Sequence, residues 1–190
     1  EAAHQLLPTI RSRCLGHTMH WPDFEDGLAW LQAMSQPTEG QNGGKKTGKP
    51  LSLADLRTLL IAAGGRPADA LAWIRQQNAG ELAQAWHALP KAMARGDVAG
   101  LNDWSPAQAL DALQKLCHDV WAVNNGAHPR FFRAEDLPAR NASRNSAYAL
   151  AAWSKELVQA ARTVEHPYNP GLMLEAFASR ARTALAPNKT

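Results

Sequence analysis

Ser105-Pro106-Ala107-Gln108-Ala109-Leu110-Asp111-Ala112-Leu113-Gln114-Lys115-Leu116-Cys117-His118-Asp119-Val120-Trp121 decides the structural class of this chain. A hydroxyl able to accept from backbone N–H groups stands before a proline whose fixed φ suits the first helical position. Leu110, Leu113, Leu116, Val120 and Trp121 then recur at helical spacing, and Asn124-Asn125-Gly126 breaks the pattern. The segment reads as a long amphipathic helix.

The same grammar extends in both directions. Towards the C-terminus, an irregular span runs to about Arg140. Ser143 can then cap a helix with Ala147, Leu150, Trp153, Leu157, Ala161 and Val164 inward and Pro167 as its stop. Asn169-Pro170 caps a last helix buried through Leu174, Phe177 and Leu185. Towards the N-terminus, Leu82, Trp86, Leu89 and Met93 follow helical spacing, although Pro90 should kink or divide that helix. Pro67 opens a helix through Ile74, and Ser52 with Asp55 makes a capping box for a helix carrying Leu53, Leu56, Leu59 and Leu60, stopped by Gly64-Gly65. Pro22 at a first helical position, with Asp23, Glu25 and Asp26 near it, suits a helix whose face is Phe24, Leu28 and Leu31. Between Gln36 and Pro50, glycines and lysines without an apolar anchor read as a mobile loop. The expected class is all-α.

Composition agrees with a packed protein. The chain has 190 residues, 45% hydrophobic content and seven tryptophans, enough for a sizeable core. Its longest apolar runs fall far short of a membrane helix. Cys14 and Cys117 lie far apart and no secretory pattern precedes them, so the expected setting is reducing, the bacterial cytoplasm. A net charge of +3 is too small to mark a nucleic-acid surface by itself. The start at Glu1, without methionine or leader, reads as a fragment.

Four patterns are candidates for chemistry. Gly43 to Lys49 has the glycine spacing of a phosphate loop, but Pro50 stands where a Mg²⁺-binding hydroxyl is needed and no strand precedes it, so it is rejected. Cys14, His17 and His20 are spaced by three, which on a helix would gather three zinc ligands, yet no fourth is evident. Arg130, Arg133, Arg140 and Arg144 interleave with Phe131 and Phe132, a mixture suited to single-stranded nucleic acid. Glu135 and Asp136 interrupt that charge, which favours a solvated connector tucking two phenylalanines into the bundle. Arg11-Ser12-Arg13-Cys14 places two arginines after the apolar Leu6-Leu7-Pro8-Thr9-Ile10 run. Alone, these are ordinary cations at a helix end.

The last pattern also resembles the arginine-finger motif of bacterial DNA polymerase III clamp-loader subunits. Gly64-Gly65-Arg66-Pro67-Ala68-Asp69-Ala70-Leu71 is similar to the lid segment of that family, and Tyr168-Asn169-Pro170-Gly171-Leu172-Met173-Leu174-Glu175 to the start of its last collar helix. The resemblance implies a remnant of an AAA+ α/β ATPase domain at 1–20, a three-helix lid at 21–78 and a collar bundle at 79–190. It makes 14–20 the last strand of the ATPase sheet, which would separate the three zinc candidates between opposite faces. Arg13 becomes a finger supplied in trans, with Ser12 and Cys14 completing the motif, because a planar permanent cation stabilises the charge of a transferring phosphoryl group.

Motor subunits of the family carry a phosphate-sensing arginine where this chain has Ala68, a methyl that cannot touch phosphate. That departure implies the delta prime type, a stator without a working ATP site, although Arg66 two residues earlier could be a displaced sensor. The implied role is non-catalytic: helping load the sliding clamp onto primed DNA during replication, as an accessory subunit of a DNA-directed DNA polymerase (a nucleotidyltransferase). Its partners would be the motor (gamma/tau) and delta subunits in a five-subunit ring. No cofactor binds the chain itself, and ATP and Mg²⁺ act at the neighbouring subunit. A collar interface would use apolar positions of the helices at 105–123 and 170–186. Two alternatives stay open: a gamma/tau-type motor fragment, and a helical nucleic-acid-binding adaptor using the Arg130 to Arg144 segment.

Overall fold

The structure, a computed structural model, describes residues 7–15, 17, 20, 22–36, 51–76, 79–141, 143–164 and 169–186. The Gly43 to Lys49 pattern, nearly all of the 36–50 loop, Trp21, Pro167 and Tyr168 lie outside them. Among the described residues there are eight α-helices and no strand: α1 (Pro8–Arg11), α2 (Phe24–Ser35), α3 (Leu53–Ala62), α4 (Pro67–Gln76), α5 (Ala79–Arg95), α6 (Pro106–Asn124), α7 (Arg144–Ala160) and α8 (Pro170–Leu185). The protein is all-α.

Local chemistry sets most helix ends. Ser52 and Ser105 each accept from the backbone N–H three residues on, while Asp55 and Gln108 reach back to the cap N–H, closing two capping boxes. Ser143 accepts from the Ser146 N–H, and the Asn169 side chain from those of Gly171 and Leu172. At the end of α3, Gly64 and Gly65 adopt φ of 70° and 79°, and their N–H groups return to the carbonyls of Ile61 and Leu60. Only glycine enters that region freely, so the sharp stop is written in the sequence.

Three boundaries differ from expectation. α2 starts at Phe24 with Asp23 as its cap, so Pro22 precedes the helix instead of opening it. α5 runs undivided through Pro90, which is buried. Trp86, Leu89 and Met93 are buried on both sides of the proline, and that packing holds the helix across the missing N–H. α7 ends at Ala160, and its Ala147 and Ala161 are exposed.

Two apolar clusters result. The smaller joins Leu28 and Leu31 of α2, Leu56, Leu60 and Ala63 around α3, and Ala70 and Leu71 of α4. The larger joins α5, α6, α7 and α8 with Phe132 and Leu137, and also takes Leu59 and Ala62 from α3. α3 is therefore the shared wall of both cores. At the centre of the larger one, Trp86 stacks on Phe132 at 4.7 Å and on Trp104 at 6.1 Å between ring centroids.

Trp153 is also buried there, and its indole N–H is the one buried side-chain polar atom without a hydrogen-bond partner among the described residues. Removing an unsatisfied donor offsets part of the packing lost with a smaller ring. Trp153→Phe is expected to change the unfolding free energy by about 1 kcal/mol or less, against about 3–5 kcal/mol for Trp153→Ala. Urea denaturation of both variants checks this.

Candidate functional site

Arg13 sits just after the short helix α1. Its N–H and that of Cys14 both return to the Ile10 carbonyl at 3.1 Å, and the Ser12 hydroxyl donates to the Thr9 carbonyl at 3.2 Å. The turn leaves the Arg13 side chain exposed, without an ion pair to any described residue. Leu7, Ile10 and Leu15 beside it are 64%, 44% and 99% exposed. The expected strand at 14–20 is not seen at Cys14, Leu15, His17 or His20, while Gly16, Thr18 and Met19 lie outside the described residues. Among the described residues no group of three or more His, Cys, Asp or Glu side chains is placed to hold a metal ion.

Gly64 to Leu71, the stretch expected from the resemblance to be a lid segment, is the second element. Ala68 is exposed in the first turn of α4. Arg66 is turned back on its own helix junction, with Nε 3.0 Å from the Ala63 carbonyl and 3.0 Å from Asp69 Oδ2. The one arginine available as a displaced phosphate sensor is thus held locally.

Between α3 and α6 lies a junction of charged groups that the sequence pattern does not single out. The Lys115 ammonium donates to the Ala62 carbonyl at 2.7 Å and pairs with Asp111. It lies 5.4, 5.9 and 5.5 Å from the ring centroids of Trp73, Trp86 and Phe131. This cation, at the C-terminal carbonyls of α3, fastens the smaller core to the bundle. Burial pushes the Lys115 pKa down, and Asp111 acts against that shift.

One turn further on, Asp119 is fully buried. Its carboxylate accepts the backbone N–H groups of Arg130, Phe131 and Phe132 at 2.9, 2.7 and 2.8 Å, and lies 2.9 Å from His118 Nδ1. The Trp86 indole donates to the Phe131 carbonyl at 3.1 Å. One side chain of α6 therefore organises the connector between α6 and α7.

The same connector carries the Arg130 to Arg144 stretch. Phe132 is buried and Phe131 half-buried, with the Arg130 guanidinium 5.3 Å from the Phe131 ring. Arg133 faces Glu135 at 3.7 Å, and Arg140 Nε donates to the Asn124 carbonyl at 3.2 Å. Phe132 is a packing group, while Phe131 keeps part of its ring open beside Arg130.

Two further groupings have the outline of reactive sites. Thr58 Oγ1, His87 and Asp136 form a hydroxyl–imidazole–carboxylate chain, at 3.2 Å to Nε2 and 2.9 Å from Nδ1. However, the Thr58 hydroxyl also reaches the Ala54 carbonyl at 2.9 Å, and the residue is buried. Its proton is committed to the helix backbone, so the chain ties α3 and α5 to the connector and supplies no activated nucleophile. Cys117 is buried, and desolvation raises its thiol pKa to about 11, which keeps it protonated and unreactive near neutral pH.

No family model, curated protein or solved structure matches the chain. Among the described residues no helix is long and apolar enough to cross a membrane.

The Lys115 geometry yields a pH prediction. Its folded-state pKa is lowered below 10.5, so the unfolded chain binds the proton more tightly. The unfavourable burial of charge is present at neutral pH and is relieved as pH rises through the folded pKa towards that of the unfolded chain. The wild type is expected to gain stability relative to Lys115→Met over that alkaline window. Paired urea titrations at neutral and alkaline pH measure the difference, and parallel curves would contradict it.

Proposed function

We propose that this chain is the lid and collar portion of a delta prime subunit of a bacterial DNA polymerase III clamp loader. In this reading it is a stator: it catalyses nothing alone, binds no nucleotide, and presents Arg13 to the ATP site of an adjoining motor subunit. The motor and delta subunits complete the ring in the bacterial cytoplasm, and the assembled loader places the sliding clamp on primed DNA.

The observation that carries this choice is the lid. Ala68 offers only a methyl group where a motor subunit has a sensor arginine, and Arg66 is tied to Ala63 and Asp69. Such a lid has nothing to close on a γ-phosphate, which favours a stator over a motor subunit. The exposed Arg13 turn adds support, since a finger acting in trans must be free of its own chain. Its exposed Leu7, Ile10 and Leu15 give the segment an apolar side suited to a larger ATPase body. The adaptor reading loses ground because Phe131 and Phe132 are packed.

Of the apolar side chains on α8, Leu172 is 65% exposed, and we assign it to the collar interface. Leu172→Glu is expected to leave the helical circular dichroism of the chain unchanged and to abolish its entry into a ring with motor and delta subunits. Undiminished assembly of this variant would remove Leu172 from the interface.

A further inference from the structure

α6 and α7 pack side by side and leave a groove on the solvent side. One recess of about 560 Å³ is lined by Cys117, His118, Trp121, Ala151, Ser154 and Lys155, among others. A second, of about 310 Å³, continues past Trp121 to Asn124, Arg140, Asn141 and Ala147. From Gln114 to Asn124 the α6 wall is 11 residues long, or about 17 Å at roughly 1.5 Å per residue. That length suits about five residues of an extended peptide.

Trp121 lines both recesses and is 41% exposed. Its indole N–H donates to no described residue. Ala122, Ala147, Ala151 and the protonated Cys117 thiol give the lining apolar patches among its amide and hydroxyl groups. The charge on its walls has one sign. Lys155 stands along the first recess and Arg140 along the second, while among the described residues neither recess has an aspartate or glutamate in its lining. Among the described residues Lys155 has no ion-pair partner. A large half-open aromatic ring shared by two recesses, with a cation along each and alanine side chains beside it, has the composition of an interaction hot spot.

We propose that this groove docks an acidic linear segment of another protein, with an apolar or aromatic anchor against Trp121 and Ala151 and carboxylates at Lys155 and Arg140. Two cations spaced along a groove with alanine methyls between them fit alternating carboxylates and an apolar side chain better than an unbroken phosphate track, which gains its affinity from many basic contacts. A second copy of this chain is disfavoured because the chain, at net +3, would bring like charge to a basic groove. The proposal is independent of the clamp-loader reading, since it rests on the α6–α7 surface alone.

The test is an NMR titration of the ¹⁵N-labelled chain with acetyl-Glu-Asp-Phe-Glu-Asp-Leu-amide. Controls are a peptide with every acid replaced by lysine and an oligo-dT strand. Loss of a resonance in Trp121→Phe assigns the Trp121 indole N–H. The acidic peptide is expected to shift that resonance with a sub-millimolar Kd. Lys155→Glu should weaken binding by roughly tenfold or more, and Trp121→Ala should abolish it, both with otherwise unchanged spectra. Absence of a Trp121 shift, equal binding of the lysine peptide, or indifference to Lys155→Glu would overturn the proposal. A Trp121 shift with oligo-dT that falls steeply with salt would make the groove a nucleic-acid surface instead, and concentration-dependent self-association that buries Trp121 would make it a self-interface.

Discussion

Asp119→Ala is expected to lower the unfolding free energy by about 3–5 kcal/mol, as much as removing the whole buried Trp153 ring. The carboxylate is fully buried and satisfies three consecutive backbone N–H groups, at Arg130, Phe131 and Phe132. Alanine removes the acceptor and leaves those donors facing a void, where each unmet donor costs about 1–3 kcal/mol before the connector relaxes. Relaxation itself is costly, because Phe132 stacks on Trp86 and the Phe131 carbonyl accepts from the Trp86 indole. For a protein of this length, a loss of that size lowers Tm by roughly 10 °C. Asp119→Asn retains one acceptor oxygen but turns an amide N–H₂ towards backbone donors, so it should recover only part of the loss. Hydrogen exchange provides the local readout, with the Arg130, Phe131 and Phe132 amides losing protection first. A destabilisation below about 1 kcal/mol, with those amides still protected, would show that the connector stands without Asp119.

Asp119 also marks the limit of what the sequence could reveal. The caps at Ser52, Ser105, Ser143 and Asn169 were legible because their partners lie within three residues, so the chemistry is complete inside a short window. The Gly64-Gly65 stop was legible for the same reason. Asp119 bonds residues 11 to 13 positions away, and Lys115 reaches back 53 positions to Ala62. A charged residue on an amphipathic helix reads as solvent-facing unless its remote partner is known. A trace was present: Ala112, Lys115, Leu116 and Asp119 share one side of α6, and both charges lie within its buried arc. That arc is broader than the leucine stripe indicated and rotated towards α3 and α5, which leaves Trp121 at its outer edge, 41% exposed. Pro90 misled for the complementary reason, since local propensity was outweighed by burial on both sides. In the candidate site, the family resemblance pointed to Arg13 and Ala68, but only three dimensions place Arg66 against Ala63 and Asp69.

Arg13→Ala carries the largest expected effect on function. In the proposed loader the guanidinium meets the γ-phosphoryl group of ATP bound to a neighbouring subunit. An arginine finger in that position is worth about 10³–10⁵ in turnover. Hydrolysis at that one site should fall by at least roughly 10³-fold, and loader ATPase by the share that site contributes. Arg13→Lys should not restore it, because a point charge cannot reproduce the planar two-pronged contact. The fold should be untouched, as the side chain is exposed and has no ion pair to a described residue. Single-turnover ATP hydrolysis by loaders reconstituted with the intact subunit, wild type or variant, measures the effect. Unchanged hydrolysis in a fully assembled ring would remove Arg13 from catalysis.

Both functional expectations depend on the chain joining a clamp-loader ring, and native mass spectrometry of the chain mixed with motor and delta subunits tests that most directly. The expected result is a five-subunit ring containing a single copy of this chain. Persistent exclusion of the chain, under conditions where the partner subunits assemble competently with an authentic stator, would contradict it.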